Sequence, residues 1–200
     1  MSYINSVLSR NCYEELSTLF TKTNNPSKEI SESYGAFHHI TRAMDKDNMR
    51  MEDFLNLHIG DGSTGRTGAL FTFMSKSINI SIDPLTNLMF MADWIKRYNV
   101  RNFNAIKNTW QDHIIETDKK INIVLVHSHV NTFDIMTAYP NWHYTYVNPC
   151  CMKNKQILTI KQIEKNDIST VIAGEDLKIT SVQRQVFVYR NNKMFKESKC

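Results

Sequence analysis

Four of the six glycines in this 200-residue chain, Gly60, Gly62, Gly65 and Gly68, fall within the nine residues "GDGSTGRTG". Glycine is otherwise sparse here, so the cluster marks a backbone constraint rather than a compositional habit. Gly60-Asp61-Gly62-Ser63-Thr64-Gly65 matches G-x-G-x-x-G, follows a strand-like run and opens a helix-like one. Such a loop turns tightly and lies close to a ligand, whose anionic part meets the free N–H groups of the helix start. Asp83 closes the next strand about 20 residues on, where a carboxylate can accept hydrogen bonds from a ribose diol. Arg66 at the helix start opposes the helix dipole and suits a phosphate or carboxylate ligand, with an ordinary surface arginine as the plain alternative. For the whole loop, the structural alternative is a tight turn packing helix on strand, with an incidental aspartate.

A second group lies further on, in "VHSHVN" and "NPCC". His127 and His129 are alternate residues at a strand end, so both imidazoles are expected on one face. Asn148, Pro149, Cys150 and Cys151 close the next strand. Three readings stand. One histidine acts as a general base, its pKa being near neutral. Alternatively, two His and one or two Cys hold zinc, although the C-x₂-C and H-x₃₋₅-H spacings of dedicated zinc modules are missing, so no metal ligand is assigned. The third is structural, with satisfied histidines and small buried cysteines. His38, His39 and Arg42 read as a polar helix face, with a substrate lid as the alternative. Trp142, His143, Tyr144 and Tyr146 read mostly as packing, and the basic tail "YRNNKMFKESKC" as frayed, adding nonspecific phosphate attraction.

These residues need a scaffold. Apolar positions at helical spacing fill residues 3–22, a polar break follows, and "SYGAFHHITRAMDKD" is a further helix. "DFLNLHIGDG", "INISIDP", "FNAIKNTW", "INIVLVHSHV" and "HYTYVNPCC" read as five strands. "RTGALFTFMSKS", "LTNLMFMADWIKRYNV", "WQDHIIETDKK", "TFDIMTAY" and "ILTIKQIEK" read as helices. "DISTVIAG" and "QRQVFVYR" form a terminal strand pair. Strands alternating with helices imply a parallel sheet covered on both faces. Ligands of such sheets sit at the carboxyl ends of the strands, which is where the glycine loop, Asp83 and both histidines fall.

The bulk properties set the limits. The length fits one domain, with 1–50 a helical N-terminal extension and 51–200 the core. No apolar run approaches the roughly 18 residues of a membrane span, and the amphipathic N-terminus does not read as a signal peptide. A cytoplasmic location without membrane contact follows as the expectation. The adjacent cysteines rarely suit a relaxed disulfide, which fits a reducing compartment. The net charge of +4 permits nucleic-acid contact without requiring it. Abundant Asn, Ile and Lys fit an AT-rich genome, a large DNA virus being one source.

"LHIGDGSTGRTGALF", "SIDP" downstream, further strand–helix units and a terminal strand pair together resemble a class I S-adenosylmethionine-dependent methyltransferase. About 50 residues of helix precede the first strand, whereas nicotinamide-binding domains begin theirs near the chain start. The resemblance implies a three-layer α/β/α Rossmann-like fold, its sheet mostly parallel with a terminal antiparallel strand pair. It implies S-adenosyl-L-methionine as cofactor, with Gly60, Gly62 and Gly65 of the loop that carries Asp61 and Ser63 beside its methionine part. Asp83 would take the ribose, and the loop from Asn108 to Asp112 would border the adenine, with Trp110 able to stack. The Asn/Asp-Pro-Pro-aromatic signature is absent, and the Lys-Asp-Lys-Glu set of ribose methylation cannot be assembled. The leading expectation is a methyltransferase acting on RNA or a nucleotide, with His127 or His129 as acceptor-side base. Its rival is an inactive methyltransferase fold that binds an RNA 5′ cap or nucleotide. A metal-dependent enzyme using the His/Cys cluster stands third.

Overall fold

The computed structural model describes residues 2–196. Helices α1 (Tyr3–Leu8) and α2 (Tyr13–Phe20) open the chain. Helix α3 (Pro26–Lys46) starts sharply because Asn25 caps the Lys28 amide and Pro26 supplies a helical φ at the first position. Alternation then begins: β1 (Phe54–Ile59), α4 (Arg66–Met74), β2 (Ile78–Ile82), α5 (Leu88–Arg97), β3 (Phe103–Ile106) and β4 (Lys120–Val126). It continues with α6 (Thr132–Ala138), β5 (Trp142–Asn148), α7 (Lys153–Gln156), α8 (Ile160–Lys165), β6 (Ile168–Glu175), β7 (Gln185–Asn191) and α9 (Lys193–Lys196).

The sheet order is β3-β2-β1-β4-β5-β7-β6, and β7 runs antiparallel to both neighbours while the other pairings are parallel. Chain order reverses between β1 and β4, so their carboxyl ends form the switch point where a crevice opens. Strand alternation divides the core. Phe54 of β1 packs with α1 to α5, whereas Leu55, Leu57 and Ile59 point to the face carrying Ile135, Met136 and Leu158. On the first face lies a polar seam: Asn56 Nδ2 donates to Ser77 Oγ (2.8 Å) and Asn79 Oδ1 (3.0 Å), and Asn122 Nδ2 donates to Asn56 Oδ1 (2.8 Å).

Three expectations need correction. Residues 111–119 form no helix: Thr109 and Asp112 close a local side-chain turn (2.7 Å), the Ile115 amide donates to the Tyr139 hydroxyl, and Trp110 and Ile115 pack on the second core face. Irregular chain there takes the place of a crossover helix. His39 is no part of a solvated helix face, since it is buried and its Nε2 lies 2.7 Å from Asp176 Oδ2. The tail is structured through Lys196, with Tyr189 and Asn191 buried in β7; its residues 197–200 lie outside those described. Among the described residues no helix is long and apolar enough to cross a membrane.

Candidate ligand cleft at the strand carboxyl ends

Gly60, Gly62 and Gly65 all hold positive φ (72°, 74° and 51°), the left-handed region that other residues enter at a cost. A Cβ on Gly60 would run into the Ser128 side chain, so this glycine is also needed for β1 to pass close to the loop after β4. The two acids of the motif region hold the loop. Asp61 accepts from the amides of Thr67 (3.0 Å) and Gly68 (2.9 Å) and from Ser81 Oγ (2.6 Å). This corrects the expectation that the α4 start is free for an anion: a carboxylate of the chain itself sits on it. Asp83 accepts from the amides of Gly62 (2.9 Å) and Leu85 (2.7 Å). Each Asp83 oxygen keeps a second lone pair for a ligand hydroxyl. Ser63 is exposed, and its carbonyl accepts from the Asn87 amide at the start of α5.

Two cavities meet at Gly60. The larger, about 400 Å³, is lined by Ile59, Ile82, Pro84, Trp110 and His129, with Asp134 and Lys155 also in its wall. The smaller, about 160 Å³, is ionic, with Lys28, Glu32, Gly62, Arg66 and His127 in its wall. Arg66 reaches Glu29 (3.1 Å) and Thr64 Oγ1 (2.9 Å), so acids of α3 offset its unfavourable position on the α4 dipole. Three atoms around this junction have no hydrogen-bond partner: Ser128 Oγ, Arg66 Nε and Glu32 Oε2, the last with Lys28 Nζ at 3.7 Å.

His127 and His129 do not share a face. Strand β4 ends at Val126, and His127 turns into the left-handed region (φ 50°), which breaks the alternation. Its Nε2 lies 2.7 Å from Glu32 Oε1, a carboxylate only 1% exposed, in the ionic cavity. His129 instead lines the larger cavity, with Nε2 3.7 Å from Cys151 Sγ. Cys150 is buried and Cys151 exposed, their sulfurs 3.8 Å apart and unbonded. The hydrogen bond with Cys150 pushes the Cys151 thiol up, the opposite of what an activated nucleophile needs.

Glu29 and Glu32 are site residues that sequence reasoning passed over. Their spacing from Lys28 puts all three on adjoining turns of α3, which is visible in the sequence, but nothing local says that this helix end packs on the glycine loop. Ser128 was likewise hidden between the two histidines.

No protein-family model matches the sequence, and comparison with curated proteins finds no relative. Solved structures do share the fold. Magnesium protoporphyrin IX methyltransferase (ChlM) from Synechocystis PCC 6803 with bound SAM matches at TM-score 0.56 and 8% identity, over 94% of this chain and 95% of that one. A mutant of MtNAS in complex with S-adenosylmethionine matches at 0.51 and 13% identity, over 94% and 74%. The architecture is therefore that of class I methyltransferases, with seven strands and a terminal antiparallel pair.

Proposed function

We propose that the paired cavities at Gly60 bind S-adenosylmethionine and that the chain is a methyltransferase whose acceptor is a nucleotide or RNA. The observation that carries this is the pairing of two chambers at Gly60, one lined by Ile59, Ile82, Val130 and the Trp110 ring with Asp134 and Lys155 also in its wall, the other by the charged side chains Lys28, Glu29, Glu32 and Arg66. Adenosine suits the first chamber, and a zwitterionic amino-acid end suits the second. Arg66 Nε, without a hydrogen-bond partner, is a donor for a carboxylate, and Glu32 Oε2, paired only with Lys28 Nζ at 3.7 Å, is an acceptor for an ammonium. Asp83 has lone pairs for ribose hydroxyls, and Trp110 a ring for the base. When bound, the cofactor supplies an electrophilic methyl group.

What this chain contributes is position. The Ser128–Gly60 contact and the two aspartates fix the loop, and α3 supplies the ionic wall. Acceptor deprotonation is assigned to the His129 side of the cleft, because His129 lines the larger chamber whereas His127 stands with Glu32 in the smaller one. A nucleotide or RNA acceptor is supported by the net charge of +4 and by Lys155 beside His129 in the cleft wall. Arg66 and Trp110 in the cleft walls also favour a second reading, a cap- or nucleotide-binding protein that transfers nothing.

Calorimetry with S-adenosylmethionine and with a capped dinucleotide separates the two. The expected result is micromolar cofactor binding that Asp83→Asn weakens at least about tenfold, or 1.4 kcal/mol. Cap binding without any cofactor binding would overturn the methyltransferase reading.

A further inference from the structure

We propose that His129, Cys150 and Cys151 form a zinc site at the mouth of the larger cavity, with the fourth coordination position open to solvent or acceptor. The inference stands on the positions of these groups and does not depend on the cofactor.

The ligand atoms come from two loops that the switch-point topology brings together. His129 lies between β4 and α6, and the cysteines follow β5. Their three donor atoms all fall within 4.8 Å of one another. Tetrahedral zinc, with Zn–S of about 2.3 Å and Zn–N of about 2.0 Å, has S···S edges of about 3.8 Å and N···S edges of about 3.5 Å. The observed Cys150–Cys151 and His129–Cys151 separations, 3.8 and 3.7 Å, match two of these edges, and the third, from the His129 imidazole to Cys150 Sγ, falls within 4.8 Å. In the metal-free chain the two short contacts are hydrogen bonds from thiol to thiol and from thiol to imidazole, which zinc would replace with bonds to one centre.

The surroundings are built to hold this arrangement. Gln156, 1% exposed, joins the two loops: its Nε2 donates to the Ser128 carbonyl and to Cys150 Sγ (3.6 Å), and its Oε1 accepts from the Cys150 amide (2.9 Å). Thr132 Oγ1 at the start of α6 donates to the Gln156 carbonyl (2.7 Å), which ties the far end of the His129 loop to the same point. A partner one layer out that orients ligands in this way is a recurrent feature of metal centres. Two thiolates and one imidazole are donors that suit zinc, and both thiols lose their protons to solvent as the Zn–S bonds form. Cys150 is buried while His129 and Cys151 are exposed, so the free vertex faces outward, on the cavity wall that His129 lines. Under the methyltransferase reading, His129 is then a ligand, and an acceptor hydroxyl is activated by the metal instead of by a histidine base.

The test uses the full chain, reduced and stripped of metal, with no cofactor or acceptor present. Zinc is titrated against a chromophoric chelator, and Co(II) is added separately to read thiolate-to-metal charge-transfer absorption. The expected result is one zinc per chain and a thiolate–cobalt band. His129→Gln and Cys151→Ser should each weaken zinc by about a hundredfold or more, since losing a ligand costs more than losing an outer partner. Both side chains are exposed, so the metal-free variants should melt as the wild type does. A Cys12→Ser/Cys200→Ser chain should bind as the wild type does. No stoichiometric uptake, or uptake that survives both ligand substitutions, overturns the site. Either result leaves S-adenosylmethionine binding to be judged by its own calorimetry.

Discussion

Gly60 and Gly62 have nearly the same φ, yet their surroundings differ. A Cβ on Gly60 overlaps the Ser128 side chain, whereas on Gly62 it would meet only Arg66 Nη2 at 3.9 Å. Gly62→Ala should therefore cost only the left-handed backbone term, about 1 kcal/mol. Gly60→Ala adds a steric term against a buried loop and should cost about 2–4 kcal/mol in all. Urea denaturation of the two variants checks the order; equal losses would show that the loop after β4 gives way freely. This part of the site was legible in the sequence because the demand for glycine is local. His127 was not. Its left-handed turn and its bond to Glu32, 95 positions earlier in the chain, depend on where α3 lands, which no spacing within "VHSHVN" encodes.

Elements with strong periodicity were read correctly, above all the five strands that carry the cleft, because a buried parallel strand announces itself as a short apolar run. "WQDHIIETDKK" misled for a related reason. Its Ile114 and Ile115 sit at compatible helical positions, yet the Ile115 amide bonds a tyrosine hydroxyl and Ile114 is exposed, so tertiary contacts replace the helical ladder. Asparagines stand within the apolar strands "FLNLHI", "INISI" and "KINIVLV". Register explains them: Asn56 stands opposite both Asn79 and Asn122 and hydrogen-bonds to each in the interior. Asn56 is the central member, bonded on both sides. Asn56→Leu should cost at least about 2 kcal/mol, because it orphans buried groups on two neighbouring strands. Asn122→Leu removes one bond of the seam and should cost less. Urea midpoints give the comparison, and a smaller loss for Asn56→Leu would mean that the seam is not shared.

At the scale of the molecule, His58 and Asp176 mark two separate acid windows. His58 is fully buried on β1, with Nε2 3.3 Å from Asn79 Oδ1, and desolvation lowers its pKa despite the opposing charge of Asp61. The unfolded chain takes up a proton near the ordinary value of about 6.5 while the folded chain resists. Stability is therefore full above that pH and declines as pH falls below it. Asp176 acts lower. Burial would raise it, but hydrogen bonds from His39 (2.7 Å) and Tyr3 (2.6 Å) hold it at about 2. Its contribution is present above the ordinary carboxylate range and is lost as pH falls toward 2. That carboxylate joins α1 and α3 to the connection between β6 and β7, so its protonation loosens the helices beside the ionic cavity from the antiparallel end of the sheet. Thermal melting from pH 7.5 to 2.5 should show a first decline beginning near pH 6.5 and a second, steeper one below about pH 4. Asp176→Asn should remove the second decline and leave the first, whereas His58→Gln should reduce the first alone, leaving the part that His143 and His38, also lowered by burial, contribute. If Asp176→Asn keeps the low-pH decline intact, other carboxylates carry it, and the link between the N-terminal helices and the sheet edge is weaker than its two short hydrogen bonds imply.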